Sequence, residues 1–191
     1  MSASDERARL FVALELPGAV RQRLAVWRDE VVAEVPGLRA VAVESLHVTL
    51  CFLGWVSVGD VDAVAGACGV VAGMATPSLR VRGGVWLPVR RPRVLAVELS
   101  DDGGRLGAVQ SALSGALAEG GWYTPEKRPF LAHVTVARVG RGARVRRGLA
   151  LPDTPDDLSF SGSTVTLFRS RLSAVGARYE GLASVETSKT H

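Results

Sequence analysis

Along "RLFVALEL", Leu10, Val12, Leu14 and Leu16 alternate with Phe11, Ala13 and Glu15, the period of two that sends successive side chains to opposite faces of a strand. Phe11 and Ala13 are apolar too, so both faces of this strand are predicted to be largely buried. Pro17 then suits the first turn of a helix, where its missing N–H has no partner to lose. Val20, Leu24, Trp27 and Val31 recur at spacings of three and four, the stripe of an amphipathic helix that ends near "PGL". A further strand is predicted through "AVAVES" and the run "LHVTLCF", with Gly54 closing it.

The series then returns. "RVLAVELS" resembles "RLFVALEL" with one residue removed, Leu106, Val109, Leu113 and Leu117 form a second helical stripe, "GG" ends it, and "LAHVTVAR" follows as a strand. The separations Arg9 to His47 and Arg93 to His133 are nearly equal, so residues 9–54 and 93–139 read as an internal duplication of a strand, helix, strand unit. Between the copies lie a helical pattern with Val61, Val64, Ala65, Cys68 and Val71, and "SLRVRGGVWL", read as a strand and turn. After the second copy come an arginine-rich stretch with Arg144, Arg146 and Arg147 on the surface, the loop "LPDTPDD", and strands in "STVTLFRS" and "ARYEGLASV". The last six residues, 186–191, read as a frayed tail. No low-complexity segment or long linker interrupts the chain, so residues 1–191 are expected to form one domain of two intimately packed lobes.

Composition adds bounds to this picture. At 191 residues, 47% hydrophobic and 22% charged, the chain is globular with a substantial core and far from a disordered composition. "MSASDERARLFVALELPG" has none of the marks of a secretory signal, and no apolar run approaches membrane-spanning length. A cytoplasmic monomer without membrane contact is expected. Cys51 and Cys68 make neither a disulfide framework nor a C-x-x-C pair, and read as core thiols. The net charge is +4 and the pI about 9.7, with arginine in excess over lysine. Two explanations stand: a phosphorylated or nucleic-acid partner, which guanidinium groups suit, or a compositional bias toward Arg, Ala, Val and Gly.

Chemistry concentrates in a repeated tripeptide. Apart from the terminal His191, the histidines are His47 and His133, and both stand in the sequence His-Val-Thr. In a strand, positions i and i+2 share a face, so His47 and Thr49 are predicted to point one way while Leu46, Val48, Leu50 and Phe52 point into apolar packing. His133 and Thr135 oppose Val134 and Val136 in the same manner. A pseudo-twofold arrangement of the lobes would bring the two His/Thr pairs face to face. Imidazoles titrate near pH ~6.5, so one can serve as base and the other as acid in a displacement at phosphorus, with threonine hydroxyls donating to the oxygens where charge gathers. A metal site is weaker, because neither motif carries an Asp or Glu on its His/Thr face. A serine hydrolase is weaker still, because no G-x-S-x-G appears.

These motifs, in the order "RLFVALELP", "LHVTLCFLG", "RRPRVLAVEL", "PFLAHVTVAR" and the late "FRSRL" with Tyr179, resemble the two-histidine (2H) phosphoesterase superfamily, and within it the bacterial and archaeal RNA 2′,3′-cyclic phosphodiesterases, historically called 2′-5′ RNA ligases. The resemblance implies an α+β, bilobal fold, with pseudo-symmetric lobes of antiparallel sheet around a central cleft and helices outside. It implies hydrolysis of the 2′,3′-cyclic phosphate at an RNA end to a 2′-phosphomonoester, without metal or cofactor. His47 would be the proton donor to the leaving 3′ oxygen, His133 the proton acceptor that activates water, and Thr49 and Thr135 the holders of the phosphate oxygens. Ala132 and Val136 stand where family members often carry proline and leucine. Enzymes of the superfamily also act on small cyclic phosphates and on 2′-5′ linked oligonucleotides, and an RNA-binding module without turnover is a third alternative.

Around the motifs, Arg138 lies an odd number of positions from His133, so strict alternation puts it on the opposite face unless a bulge redirects it; it is read as a phosphate contact or a structural ion pair. Arg90, Arg91 and Arg93 form either a rim for an RNA backbone or a solvated turn. Phe11, Trp55, Trp86, Trp122, Phe130 and Tyr179 are candidates for base stacking as well as for the core.

Overall fold

The computed structural model describes residues 6–146, 148–155, 157–173 and 176–188. The predicted opening strand is β1 (Arg7–Glu15), and Pro17 sits just ahead of α1 (Gly18–Glu34). The helix buries Val20, Leu24, Trp27 and Val31, the stripe read from the sequence. β2 (Leu38–Ala40) and β3 (His47–Ser57) follow. "AVAVES" is therefore not a strand. After Ala40 the Val41 N–H still reaches the sheet at Val136 O, but its carbonyl is taken by the buried Arg28 guanidinium of α1, and the chain turns into a single 3-10 turn at Val43–Ser45.

Then come α2 (Val61–Cys68), β4 (Ser78–Leu87), β5 (Val94–Ser100), α3 (Arg105–Glu119), β6 (His133–Val139), β7 (Ser159–Ser161), β8 (Thr164–Ser173) and β9 (Gly176–Glu186). "SLRVRGGVWL" is one strand rather than a strand and turn. Gly84 serves close approach: a Cβ there would stand 2.7 Å from the Trp27 ring that packs over it, and a register shift between Val81 and Gly83 absorbs the irregularity. The chain also stays ordered past residue 186, where fraying is predicted. Thr187 is buried and bonded to Thr76 and Ser163, and Ser188 bridges to Ala75. Residues 189–191 and Arg147 lie outside the described residues.

Among the described residues the strands form one curled antiparallel sheet in the order β7-β4-β5-β6-β3-β1-β8-β9, with β2 on β6. The fold is α+β and bilobal, but its two halves are continuous, joined where β3 meets β6 at the single pair Val48 and Val134. Each helix of the duplicated unit crosses to the other half. α1 packs on β2 and β6, and α3 packs on β3 and α2. The core runs through both halves, with Leu10, Leu14, Leu24, Leu46, Leu95, Leu106, Leu113 and Leu117 fully buried, each contributing about 1.5–3 kcal/mol of apolar burial. Cys51 and Cys68 are free thiols inside it, and burial pushes them to about 12 and about 11, which keeps them protonated and inert. No helix among the described residues is long and apolar enough to cross a membrane.

Candidate active site

Val48 and Val134 are the middle residues of the two His-Val-Thr tripeptides, and they pair with each other. A local twofold axis between antiparallel strands at that point sets His47 beside Thr135 and Thr49 beside His133. The outer neighbours repeat the same symmetry. On β1, Glu15 opposes His47 and Ala13 opposes Thr49; on β5, Glu98 opposes His133 and Ala96 opposes Thr135.

Just past each threonine the ladder slips by one residue. Ala13 and Val12 are consecutive, yet they oppose Thr49 and Cys51, leaving Leu50 as the extra residue of a bulge. Ala96 and Leu95 likewise oppose Thr135 and Ala137, leaving Val136 extra. A bulge reverses the alternation beyond it. Leu50 and Cys51 are both buried, as are Val136 and Ala137, and the fifth residue after each histidine turns to the cleft. In the second copy that residue is Arg138, whose odd spacing is thereby resolved. In the first copy it is Phe52, predicted to face apolar packing but in fact 46% exposed and lining the cleft. Phe52 is the site residue that alternation misplaces; its equivalence to Arg138 within the duplication was the available signal. Gly54 does not end β3 either. At φ +73° it forms a second bulge and the strand continues to Ser57.

Both histidines are held by the same device. His47 Nδ1 lies 2.7 Å from Ser45 O, and His133 Nδ1 lies 2.8 Å from Leu131 O. A carbonyl only accepts, so Nδ1 carries the proton in each ring and Nε2 is the working nitrogen. In His47 that Nε2 accepts the Thr49 hydroxyl at 3.1 Å. Behind it stands an aromatic stack. Phe11 lies 4.9 Å from the His47 ring, nearly parallel, with Phe168 at 5.2 Å from Phe11 and the Tyr179 ring edge-on to both Phe11 and His47. Phe11 is 4% exposed, with His47 and Phe168 stacked against its ring.

This setting lowers the His47 pKa to about 4, first by burial and then by the positive charges of Arg138 and His133, against the raising effect of the Ser45 carbonyl. The unfolded chain takes a proton on His47 near 6.5 while the native state refuses it, so stability is full above about pH 6.5 and falls as the pH drops toward 4. The expected loss is about 3 kcal/mol. Urea unfolding of the wild type and of His47→Gln at pH 7 and pH 4.5 reads it as a pH-dependent difference that the variant lacks.

The cleft has two compartments that share Thr49 and Phe52. One, of about 210 Å³, is lined by Arg9, Phe11, His47, Arg138, Ser170 and Tyr179. The other, of about 430 Å³, runs from His133 past Phe130, Tyr123, Glu126 and Arg128, and lies within the range of about 300–1,000 Å³ typical of small-molecule sites. Arg90 and Arg91 are elsewhere. With Arg93 and Arg144 they line a third cavity of about 570 Å³ that shares no residue with these two. Trp86 is buried and donates to Leu149 O, and Trp122 packs against the core, whereas Trp55 is 58% exposed. Among the described residues no three His, Cys, Asp or Glu side chains cluster as a metal site requires.

A family model described as LigT like phosphoesterase matches residues 14–96. An RNA 2′,3′-cyclic phosphodiesterase of Escherichia coli (strain K12) is 28% identical over 93% of this chain and 96% of its own length. Another, from Aeropyrum pernix, is 34% identical over 64% of this chain and 68% of its own. The crystal structure of Escherichia coli LigT complexed with 3′-AMP matches with a TM-score of 0.78 at 26% identity, covering 96% of this chain and all of the other.

Proposed function

Because the chain belongs to the LigT-like phosphoesterase family, we propose that its two His-Val-Thr motifs hydrolyse the 2′,3′-cyclic phosphate at an RNA end to a 2′-phosphomonoester. The chain is a cyclic phosphodiesterase, as its relatives are RNA 2′,3′-cyclic phosphodiesterases. The observation that supports the assignment of residues is the pairing of Val48 with Val134, which brings the two His-Val-Thr strands side by side with each Nδ1 held on a local carbonyl.

In the proposed reaction, water attacks phosphorus as His133 Nε2 takes its proton. The P–O3′ bond breaks, and His47 Nε2 returns a proton to the 3′ oxygen. Thr49 turns its hydroxyl from His47 to a non-bridging oxygen, Thr135 does the same from the other side, and Arg138 adds a fixed positive charge. Holding a proton on His47 needs a counter-charge, since burial keeps the free ring neutral at pH 7. The bound phosphate anion supplies it. The depressed pKa also favours a second reading, in which His47 is the base and His133 the acid. No metal enters either scheme. Arg90 and Arg91 line a separate cavity and do not bear on the reacting phosphate.

The test is to incubate the protein with RNA fragments ending in 2′,3′-cyclic phosphate and with small cyclic nucleotides, with and without EDTA, and to locate the phosphate in the products by mass and chemical mapping. RNA ends opened to the 2′-phosphate, undiminished by chelation, are expected. Activity lost to EDTA and restored by one divalent ion would replace the metal-free scheme, and opening of small cyclic nucleotides alone would move the substrate away from RNA.

A further inference from the structure

Beyond the reacting phosphate, one strip of the cleft face continues outward along β1 and β3. The second bulge, at Leu53 and Gly54, puts Trp55 opposite Arg9 and Ser57 opposite Arg7. Directly opposed residues of an antiparallel pair share a face. Glu15 opposes His47, and β1 runs without a bulge of its own, so Phe11, Arg9 and Arg7 lie on the same face as the catalytic pair, and Phe52 and Trp55 join them. From His47 to Trp55 the strip covers six β1 positions, about 20 Å.

Its composition is alternately aromatic and cationic. The Arg9 guanidinium lies over the Phe52 ring at 4.7 Å and donates to Ser170 at 3.3 Å, which fixes it at the mouth of the His47 compartment. Arg7 donates to the Trp55 backbone carbonyl at 2.7 Å, which holds its charge at the Trp55 end of the strip. Phe52 and Trp55 are 46% and 58% exposed, whereas Trp27 and Trp86 are 3% and 7% exposed. An indole left this open on a sheet face, two positions from an equally open phenyl ring and flanked by two positioned guanidinium groups, has the chemistry that holds a single strand: bases on π-faces, phosphates on arginine.

We propose that Phe52, Arg9, Trp55 and Arg7 form a stacking track for the nucleotides upstream of the cyclic phosphate, so that the enzyme prefers oligoribonucleotide ends to cyclic mononucleotides. The inference rests on the phosphodiesterase reading above and adds to it the direction in which the RNA leaves the site. The arginine cavity at Arg90 and Arg91 lies beyond the other end of the twofold, past Arg138, and is the competing exit.

The experiment compares kcat/KM on an eight-nucleotide RNA ending in 2′,3′-cyclic phosphate with kcat/KM on a 2′,3′-cyclic mononucleotide, for the wild type, Trp55→Ala, Trp55→Phe and the double variant Arg90→Ser, Arg91→Ser. The wild type is expected to prefer the longer substrate. Trp55→Ala should cut that preference by about 5- to 100-fold, the worth of one stacked base, and Trp55→Phe should restore most of it. A preference unchanged in Trp55→Ala, or lost only in the double arginine variant, overturns the track. Fluorescence anisotropy of a labelled RNA ending in 2′-phosphate measures binding without turnover. If the wild type opens neither substrate, the phosphodiesterase reading falls, and equal affinity of wild type and Trp55→Ala for this RNA is then the result that sinks the track.

Discussion

His47→Ala and His133→Ala are each expected to lower kcat/KM on RNA 2′,3′-cyclic phosphate by about 10²–10⁴, the usual worth of a positioned general acid or base. His133 gives up one hydrogen bond, to Leu131 O; His47 gives up its bonds to Ser45 O and Thr49 and its contact with Phe11, which keeps Phe168 and Tyr179 as neighbours. Circular dichroism and urea unfolding of each variant check that the fold survives. The double variant should fall little further than the worse single one, because acid and base act in one transition state and their effects do not add. Turnover within about threefold of wild type in either single variant would end the two-histidine mechanism.

The second expectation separates the roles that the twofold makes nearly equivalent. When the 3′ oxygen of the cyclic ester is replaced by sulfur, the leaving thiolate needs little protonation. This substrate should recover most of the 10²–10⁴ lost in His47→Ala and almost none of that lost in His133→Ala, where water still lacks its base. Steady-state rates of both variants on the oxygen and sulfur esters decide it. The opposite pattern assigns the base to His47, in keeping with its neutral state in the free protein, and leaves the enzyme's class intact.

Much of this site was legible in one dimension. The helical stripes of α1 and α3 are buried as their spacing requires, because apolar burial along a helix depends only on the 3.6-residue period. The placement of His47 with Thr49, and of His133 with Thr135, needed only the alternation of a short strand. Errors appear where alternation is interrupted. "AVAVES" has the composition of a strand, but the Arg28 guanidinium takes the Val41 carbonyl and the chain turns beyond it, which supplies Ser45 O to His47. Gly54 and the Gly83–Gly84 pair look like strand ends; Gly54 carries a bulge and Gly84 admits the Trp27 ring.

The sequence by itself determined that two equivalent imidazole and hydroxyl pairs would stand on two equivalent strands, because a duplicated pattern folds into duplicated local structure. The tertiary structure alone decided that Val48 pairs with Val134, which makes two half-sites into one. It also decided that bulges at Leu50 and Val136 turn Phe52 and Arg138 into the cleft, that Phe11 is stacked between His47 and Phe168, and that Arg90 and Arg91 line a separate cavity. A bulge is set by the register of two strands distant in sequence, and a ring's free face by whatever packs upon it. Neither is encoded in the period of a single segment.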